Sequence, residues 1–236
     1  MVTERTPTLV VGLNAVIIAI TDEEPRALTV PLAADTPLQG GGRTDAAGQA
    51  LDALPTGPLD PAGDRTLELA LRRWVRTYAG IELGYVEQLY TFGDRFRDPR
   101  EEHGGPRVVS VAYLALVRES RPATGLTARW RPVYRFFPWE DWRGGRPAII
   151  DERIAAAARA WVHQAPGSAL REVRRERCVI AFGLEGARWD GDRVLERYEL
   201  LYEMGLVGEA RSTDRGFGLP MAFDHRRILA TAVGRI

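Results

Sequence analysis

The chain of 236 residues contains no lysine, so all 32 of its basic side chains are arginines. This absence excludes a P-loop lysine, a Schiff-base lysine and a lysine general base. Arginine instead presents a planar fork of N–H donors that matches the oxygens of a phosphate or carboxylate. Because 32 acidic residues bring the formal net charge to zero, the whole chain lacks the basic excess typical of nucleic-acid-binding proteins.

Cysteine and histidine are also scarce. The single cysteine, Cys178, excludes an internal disulfide and a multi-cysteine zinc site, which fits a reducing compartment. It lies in the apolar run RCVIAFG, a setting typical of a buried, inert thiol. The three histidines are far apart in the sequence, and neither HExxH nor GxSxG occurs. The known zinc-protease and serine-hydrolase patterns are therefore absent.

No apolar run is long enough to span a bilayer. The longest N-terminal run, TLVVGLNAVIIAIT at 8–21, falls short of the roughly 20 residues that a membrane helix needs. An acidic turn follows it, without the small-residue cleavage site of a signal peptide. We therefore expect a cytoplasmic protein with no membrane partner.

The first two thirds of the sequence predict a sheet with one helix. The β-branched run at 8–21 predicts one buried strand, or two that are broken near Gly12–Asn14, and 26–33 is the expected hairpin partner. Glycine, proline and aspartate between 34 and 64 indicate irregular structure. Further strands are predicted at 85–92, at 107–117 and within 127–142, where Pro138 stops the strand.

The clearest helix is predicted at 64–80. Asp64 or Thr66 is suited to cap its start, and Gly80 supplies a left-handed stop. An apolar stripe at helical spacing faces the expected core: Leu67, Leu71, Trp74, Val75 and Tyr78.

The last third predicts three more helices, at 151–165, 193–206 and 222–236, the last with Asp224 as cap and His225 as a surface imidazole. The expected fold class is thus α+β, a mixed α/β protein.

The basic run REVRRER at 171–177 is interpreted as a solvated helix face. The segment FFPWEDW is interpreted as an edge strand that ends at a proline.

Three segments carry a resemblance to a known family. They are VEQLYTFGDRFRDPR with RVVSVAYLALV, the glycine-proline approach ALPTGPLDP at 53–61, and PMAFDHRRILATAVGRI at the end. Together they resemble the Nudix-related transcriptional regulators of NAD metabolism, and RFFPWEDWR with LERYELLYEMGLVGEA resembles their alphaproteobacterial branch. The resemblance implies a Nudix-like α/β/α sandwich with a helical insertion.

The domain organisation follows from that resemblance. It implies a ligand-sensing core at 1–150, a helical insertion at 151–216 and a final helix at 217–236. This helix would lead to a winged-helix DNA-binding domain that the chain does not include. The apolar positions of the insertion either pair two protomers or pack within one chain: Leu195, Tyr198, Leu201 and Tyr202.

The helix at 64–80 fits the frame of the family's catalytic motif but not its chemistry. Anchoring the motif on Gly80 places its arginine at Arg73 and its aliphatic residue at Val75. The glutamate positions fall on Arg65, Trp74, Thr77 and Tyr78. Glutamates there would hold Mg²⁺ against a diphosphate, which these side chains do not do. We therefore expect no metal site, no catalytic residue and no cofactor.

Arginine can neutralise a diphosphate without a metal, and aromatic rings can pack against a base. The charged loop after Tyr90 is otherwise explained as a solvated loop. The resemblance implies a pocket for ADP-ribose, NAD or a related nucleotide, lined by Arg73, Tyr90, Phe92, Asp94, Arg97, Arg100 and Arg107, with Arg65 and Arg95 as further candidates. The alternative is a divergent Nudix pyrophosphatase that uses Glu68, Glu82 or Asp94 as metal ligands.

Overall fold

The computed structural model describes residues 9–32, 50–95, 101, 104–122, 127–208 and 216–236. Within these ranges a mixed sheet contains seven strands. The strands are β1 (Leu9–Thr21), β2 (Glu24–Pro31), β3 (Asp52–Ala53), β4 (Thr56–Pro58), β5 (Glu87–Phe92), β6 (Arg107–Leu116) and β7 (Arg129–Pro132). The predicted hairpin of the first two strands and the predicted strand pair β5–β6 are confirmed.

The long strand β1 organises this sheet. It runs parallel to β6 from the Leu9–Arg107 pair to the Ile18–Leu116 pair. Its other edge pairs antiparallel first with β4 and then with β2, and the principal strand order is β3-β2-β1-β6-β5. Strand β7 also pairs with β2, from Arg26 to Thr29, and β3 pairs with the next two residues of β2, Val30 and Pro31.

Helices cover both faces of the sheet. On one face, α1 (Leu67–Ala79) packs Leu71 and Val75 against Leu13 and Ile17 of β1. The other face is covered by α2 (Ala155–His163), α3 (Ser168–Phe182), α4 (Val194–Glu203) and α5 (His225–Val233). The predicted mixed α/β class and its α/β/α layering are confirmed. The predicted boundaries at 150 and 216 stay predictions.

Local chemistry explains where α1 begins and ends. The Thr66 hydroxyl accepts a hydrogen bond from the backbone N–H of Leu69 at 3.1 Å, as an N-cap does. Gly80 ends the helix with φ of 64°, a left-handed conformation that glycine adopts without strain. Since Thr66 is the cap, the other capping candidate, Asp64, is available for an arginine.

The strand predicted at 127–142 is wrong beyond Pro132. Two turns of 3₁₀-helix follow instead, at Val133–Arg135 and Pro138–Glu140. Phe136, Phe137, Trp139 and Glu140 are all buried, whereas a half-buried strand would bury alternate residues. The edge-strand interpretation of FFPWEDW is therefore also wrong, because its side chains turn into the core.

Glu140 meets Arg197 of α4 in a buried ion pair. The Arg197 side chain is fully buried and that of Glu140 is 5% exposed, and two hydrogen bonds of 2.7 and 2.8 Å join them. The Trp189 ring lies 3.8 Å from the guanidinium carbon. The remaining donors of Arg197 reach the carbonyl oxygens of Ala181, Asp190 and Gly191. All five N–H groups of this guanidinium are thus satisfied.

The interpretation of 171–177 as a solvated helix face is confirmed. On α3, Arg175 pairs with Glu172 and Glu185, and Arg177 pairs with Glu203. Two of the apolar residues in the insertion, Tyr198 and Leu201, are buried within the chain, while Tyr202 is 42% exposed. Among the residues described, no helix is both long and apolar enough to cross a membrane.

Replacing Glu140 by alanine is expected to lower the free energy of unfolding by about 3–5 kcal/mol, because Arg197 would keep its charge in the core without a counter-ion. Urea unfolding measures this change. The matched control is Glu203→Ala, which breaks a half-exposed arginine pair and should cost no more than about 1 kcal/mol. Equal losses in the two variants would contradict the structural role of Glu140.

Cys178 is expected to resist alkylation in the folded protein. It is 2% exposed, and burial raises the pKa of its thiol to about 11. Because the thiolate is the nucleophile, little of it forms below that pH. Iodoacetamide at pH 8 should modify the thiol slowly in buffer and readily in denaturing urea. Rapid modification of the native protein would show that Cys178 is accessible.

Candidate functional site

Arg73 lies on the exposed surface of α1 and is held by Asp64. Its Nε and Nη2 atoms donate to the two carboxylate oxygens of Asp64 at 3.2 and 2.7 Å. The hydrogen bond from Arg73, followed by that from the backbone N–H of Asp60, lowers the pKa of Asp64. The Nη1 atom of Arg73 has no hydrogen-bond partner within the described residues. Asp64 thus orients the Arg73 guanidinium through Nε and Nη2 and does not engage its Nη1 atom.

Trp74, Thr77 and Tyr78 occupy the glutamate positions of the motif on α1, and each contacts a neighbouring side chain or the backbone. The indole N–H of Trp74 donates to the carbonyl oxygen of Pro58 at 2.9 Å, and its ring stacks on Tyr78 at 5.7 Å between centroids. The Thr77 hydroxyl donates to the carbonyl of Arg73 at 2.9 Å. The Arg73 guanidinium lies 4.7 Å from the centre of the Trp74 ring. Trp74 and Tyr78 are each partly exposed beside this cation.

Gly57 of β4 makes the position of Trp74 possible. A Cβ atom at Gly57 would lie 2.0 Å from the indole ring, well inside van der Waals contact. The segment 54–58 and the middle of α1 therefore fit together only with glycine at this point.

The carboxylates of the hydrolase alternative occupy exposed positions. Glu68 pairs with Arg72 at 2.7 Å, and Glu82 pairs with Arg76 at 2.6 Å. Asp94 lies exposed just after β5. Among the residues that the structure describes, no group of three or more His, Cys, Asp or Glu side chains could hold a metal ion.

The hairpin residues form a second group. Tyr90 and Phe92 contact edge to face with centroids 5.2 Å apart; Tyr90 is 61% exposed and Phe92 is buried. Nη2 of Arg107 donates to the carbonyl of Gly93 at 2.8 Å, while its buried Nε has no hydrogen-bond partner among the described residues. Arg97 and Arg100 lie outside the described residues.

The predicted pocket residues are thus divided between two faces of the sheet. Phe92 packs in the core beneath α2 to α5, with Tyr90 beside it, whereas Arg73 belongs to α1 on the opposite face. Of the further candidates, Arg65 is exposed before α1, and Arg95 lies 3.9 Å from Glu101. The structure brings Arg73 together with Trp74 and Tyr78, and Tyr90 together with Phe92.

The sequence patterns do not predict the burial of two polar residues, Asp52 and His225. Asp52 is 6% exposed and accepts hydrogen bonds from Thr29, Arg129 and Arg131. The alternating pair Arg129 and Arg131 was a usable signal, since residues two apart in a strand share one face. The prediction of His225 as a surface imidazole is wrong: it is 4% exposed and its Nδ1 accepts the backbone N–H of Leu54 at 3.0 Å.

No protein-family model matches the chain, and no curated protein does so either. Similar solved structures include the Nudix domain of Shewanella oneidensis NrtR complexed with ADP ribose, with 25% identity over 55% of this chain and 75% of that one, and a TM-score of 0.40. NrtR of the same organism complexed with a 27mer DNA has 22% identity over 65% of this chain and 63% of that one, with a TM-score of 0.42.

A MutT/nudix family protein from Enterococcus faecalis has 22% identity over 56% of this chain and 46% of that one, with a TM-score of 0.40. The present chain thus spans less than two thirds of the last two structures. The mixed α/β fold has Nudix-fold proteins as its structural neighbours. The ADP ribose and the DNA in these complexes are bound by those proteins.

Replacing Gly57 by alanine is expected to destabilise the protein by about 1–3 kcal/mol, because the added methyl group must displace the Trp74 ring. Urea unfolding tests this expectation. Gly84→Ala is the control, since no atom lies within 4 Å of its added Cβ. A Gly57 variant as stable as the Gly84 variant would contradict the tight contact.

Proposed function

We propose that this chain is the ligand-sensing Nudix-like domain of a transcriptional regulator of NAD metabolism. In this proposal it binds ADP-ribose, NAD or a related nucleotide and does not hydrolyse it. The observation that carries the proposal is the surface of α1. Where the family motif has glutamates, this surface presents the indole of Trp74 stacked on Tyr78, beside the guanidinium of Arg73.

This arrangement suits binding better than metal-assisted cleavage. A Nudix hydrolase needs several carboxylates close together to hold Mg²⁺ on the diphosphate. Arg73 instead supplies a permanent positive charge, and its bidentate contact with Asp64 fixes the direction of the fork before a ligand arrives. A donor oriented in advance loses less conformational entropy on binding. Arg65, exposed ahead of the same helix, is a second cation for the diphosphate.

The aromatic pair supplies the second element of nucleotide recognition. Trp74 and Tyr78 are partly exposed, and their rings stack with an interplanar angle of 14° beside Arg73, so that an aromatic surface is open to solvent there. A base or the nicotinamide ring can pack against such a surface. Burial raises the pKa of the Tyr78 phenol above its ordinary value, so the ring is neutral at physiological pH.

The transcriptional part of the proposal rests on the resemblance of the hairpin and the last helix to the regulators. In the proposed protein, DNA is bound by a winged-helix domain, in a two-fold dimer. The chain described here would then respond to the nucleotide, and α5 would connect that response to the DNA-binding domain.

Replacing Arg73 by alanine is expected to weaken ADP-ribose binding by roughly 1.5–3 kcal/mol, the range for a hydrogen bond to a charged group. Isothermal titration calorimetry in EDTA measures this change without any divalent cation. Arg76→Ala is the matched control: it removes the same charge from the same helix but from an exposed pair with Glu82. Equal effects of the two substitutions would contradict a specific role for Arg73.

A Tyr90→Ala variant locates the ligand relative to the sheet. If Tyr90→Ala weakens binding while Arg73→Ala does not, the nucleotide lies on the hairpin face and the role given to α1 is wrong. Turnover of ADP-ribose with Mg²⁺, lost in Glu68→Gln, would replace the proposal by the pyrophosphatase alternative. Saturable binding without product supports a sensor.

A further inference from the structure

A cavity of about 170 Å³ lies between the sheet and the segment before α5, away from the residues of the proposed nucleotide site. Asp52 of β3, Arg129 and Arg131 of β7, and Arg135 line it together with Leu219 and Pro220. Its volume is below the roughly 300–1,000 Å³ of a typical pocket for a drug-sized ligand. The cavity therefore suits one small chemical group rather than a whole nucleotide.

The carboxylate of Asp52 organises the arginines around this cavity. Its Oδ1 accepts the Thr29 hydroxyl at 2.8 Å and Nε of Arg129 at 2.9 Å, and its Oδ2 accepts Nε of Arg131 at 3.0 Å. The Asp52 side chain is only 7% exposed, whereas those of Arg129 and Arg131 are 41% and 26% exposed. Both arginines are thus fixed at Nε, and their terminal Nη atoms make no hydrogen bond to the residues that the structure describes.

Arg135 adds a third cation. Its exposed side chain has no hydrogen bond or ion pair within the described residues, although it lines the cavity. Three guanidinium groups and one carboxylate leave two positive charges among the described lining residues. Guanidinium is always charged and matches the oxygens of a phosphoryl group.

The wall of the cavity is held by backbone hydrogen bonds. The N–H of Leu219 donates to the carbonyl of Arg135 at 2.8 Å, and the N–H of Ala222 donates to the carbonyl of Asp52 at 2.8 Å. The same residues that carry the charged side chains therefore also fix the segment opposite. A site prepared in this way loses little entropy when an anion enters.

From these contacts we propose that the cavity is a phosphate site, which takes inorganic phosphate or the phosphate of a phosphomonoester. The terminal nitrogens of Arg129 and Arg131 hold two of the oxygens, and Arg135 closes over the group from the solvent side. Asp52 does not touch the anion. It positions the two guanidinium groups of β7 and limits the repulsion between them. This site does not depend on the nucleotide function proposed for α1.

Titration of the full chain with inorganic phosphate, at constant ionic strength set by chloride, tests the proposal. Calorimetry should show saturable binding of one phosphate, and Arg135→Ala should weaken it about 10- to 100-fold. Because the exposed Arg135 side chain makes no hydrogen bond or ion pair with any described residue, this variant should fold normally. Arg118→Ala is the matched control, since Arg118 is an exposed arginine outside the cavity.

The outcomes are distinct. Absence of saturation, or equal weakening by Arg135→Ala and Arg118→Ala, would overturn the site, because the charge would then act only at long range. Acetate binding as tightly as phosphate would overturn the phosphoryl assignment. AMP that binds more tightly than phosphate, with the same loss in Arg135→Ala, supports a phosphomonoester ligand, and equal affinities support free phosphate.

Discussion

The buried ion pair between Arg197 and Glu140 is the interaction on which the arrangement of the helices on the sheet depends. A guanidinium fully removed from water is tolerated only because each of its N–H groups has an acceptor. Those acceptors come from the 3₁₀ turn at Pro138–Glu140, the end of α3 and the loop before α4. One side chain thus constrains three segments that are distant in sequence. The aromatic core around it, including Phe137 and Tyr198, packs on the same face.

The opposite face of the sheet shows a different use of arginine. There, Arg73 is exposed and oriented by Asp64. The indole ring of Trp74, which packs directly on Gly57, lies beside it. The buried Arg197 has every donor engaged and nothing to offer a ligand. Arg73 and the arginines of β7 are each held through part of the guanidinium, and their other nitrogens make no hydrogen bond to any residue that the structure describes. Arginine is therefore structural at position 197 and suited to ligand binding at position 73 and in β7. The difference is the number of guanidinium N–H groups that already have an acceptor.

Local patterns predicted α1 well, because its apolar spacing, the Thr66 cap and the Gly80 stop all lie within a few residues of each other. The failures have long-range causes. Nothing near Glu140 in the sequence indicates a partner 57 residues away on α4, so local patterns predict an edge strand there. Local patterns also predict His225 on the surface, because its hydrogen-bond donor is the backbone N–H of Leu54, 171 residues earlier. The arginines around Asp52 are separated from it by 77 and 79 residues. Only the pairing of β3 and β7 with β2 brings them together.

The ion pairs described here share one further property, which follows from the lack of lysine. No side chain of this protein carries a primary amine. Acetylation of lysine, a common way in which cells cancel a positive charge, therefore has no side-chain target here. The guanidinium half of each pair keeps its proton at any physiological pH, so a change of pH alters the charge of a pair only at its carboxylate.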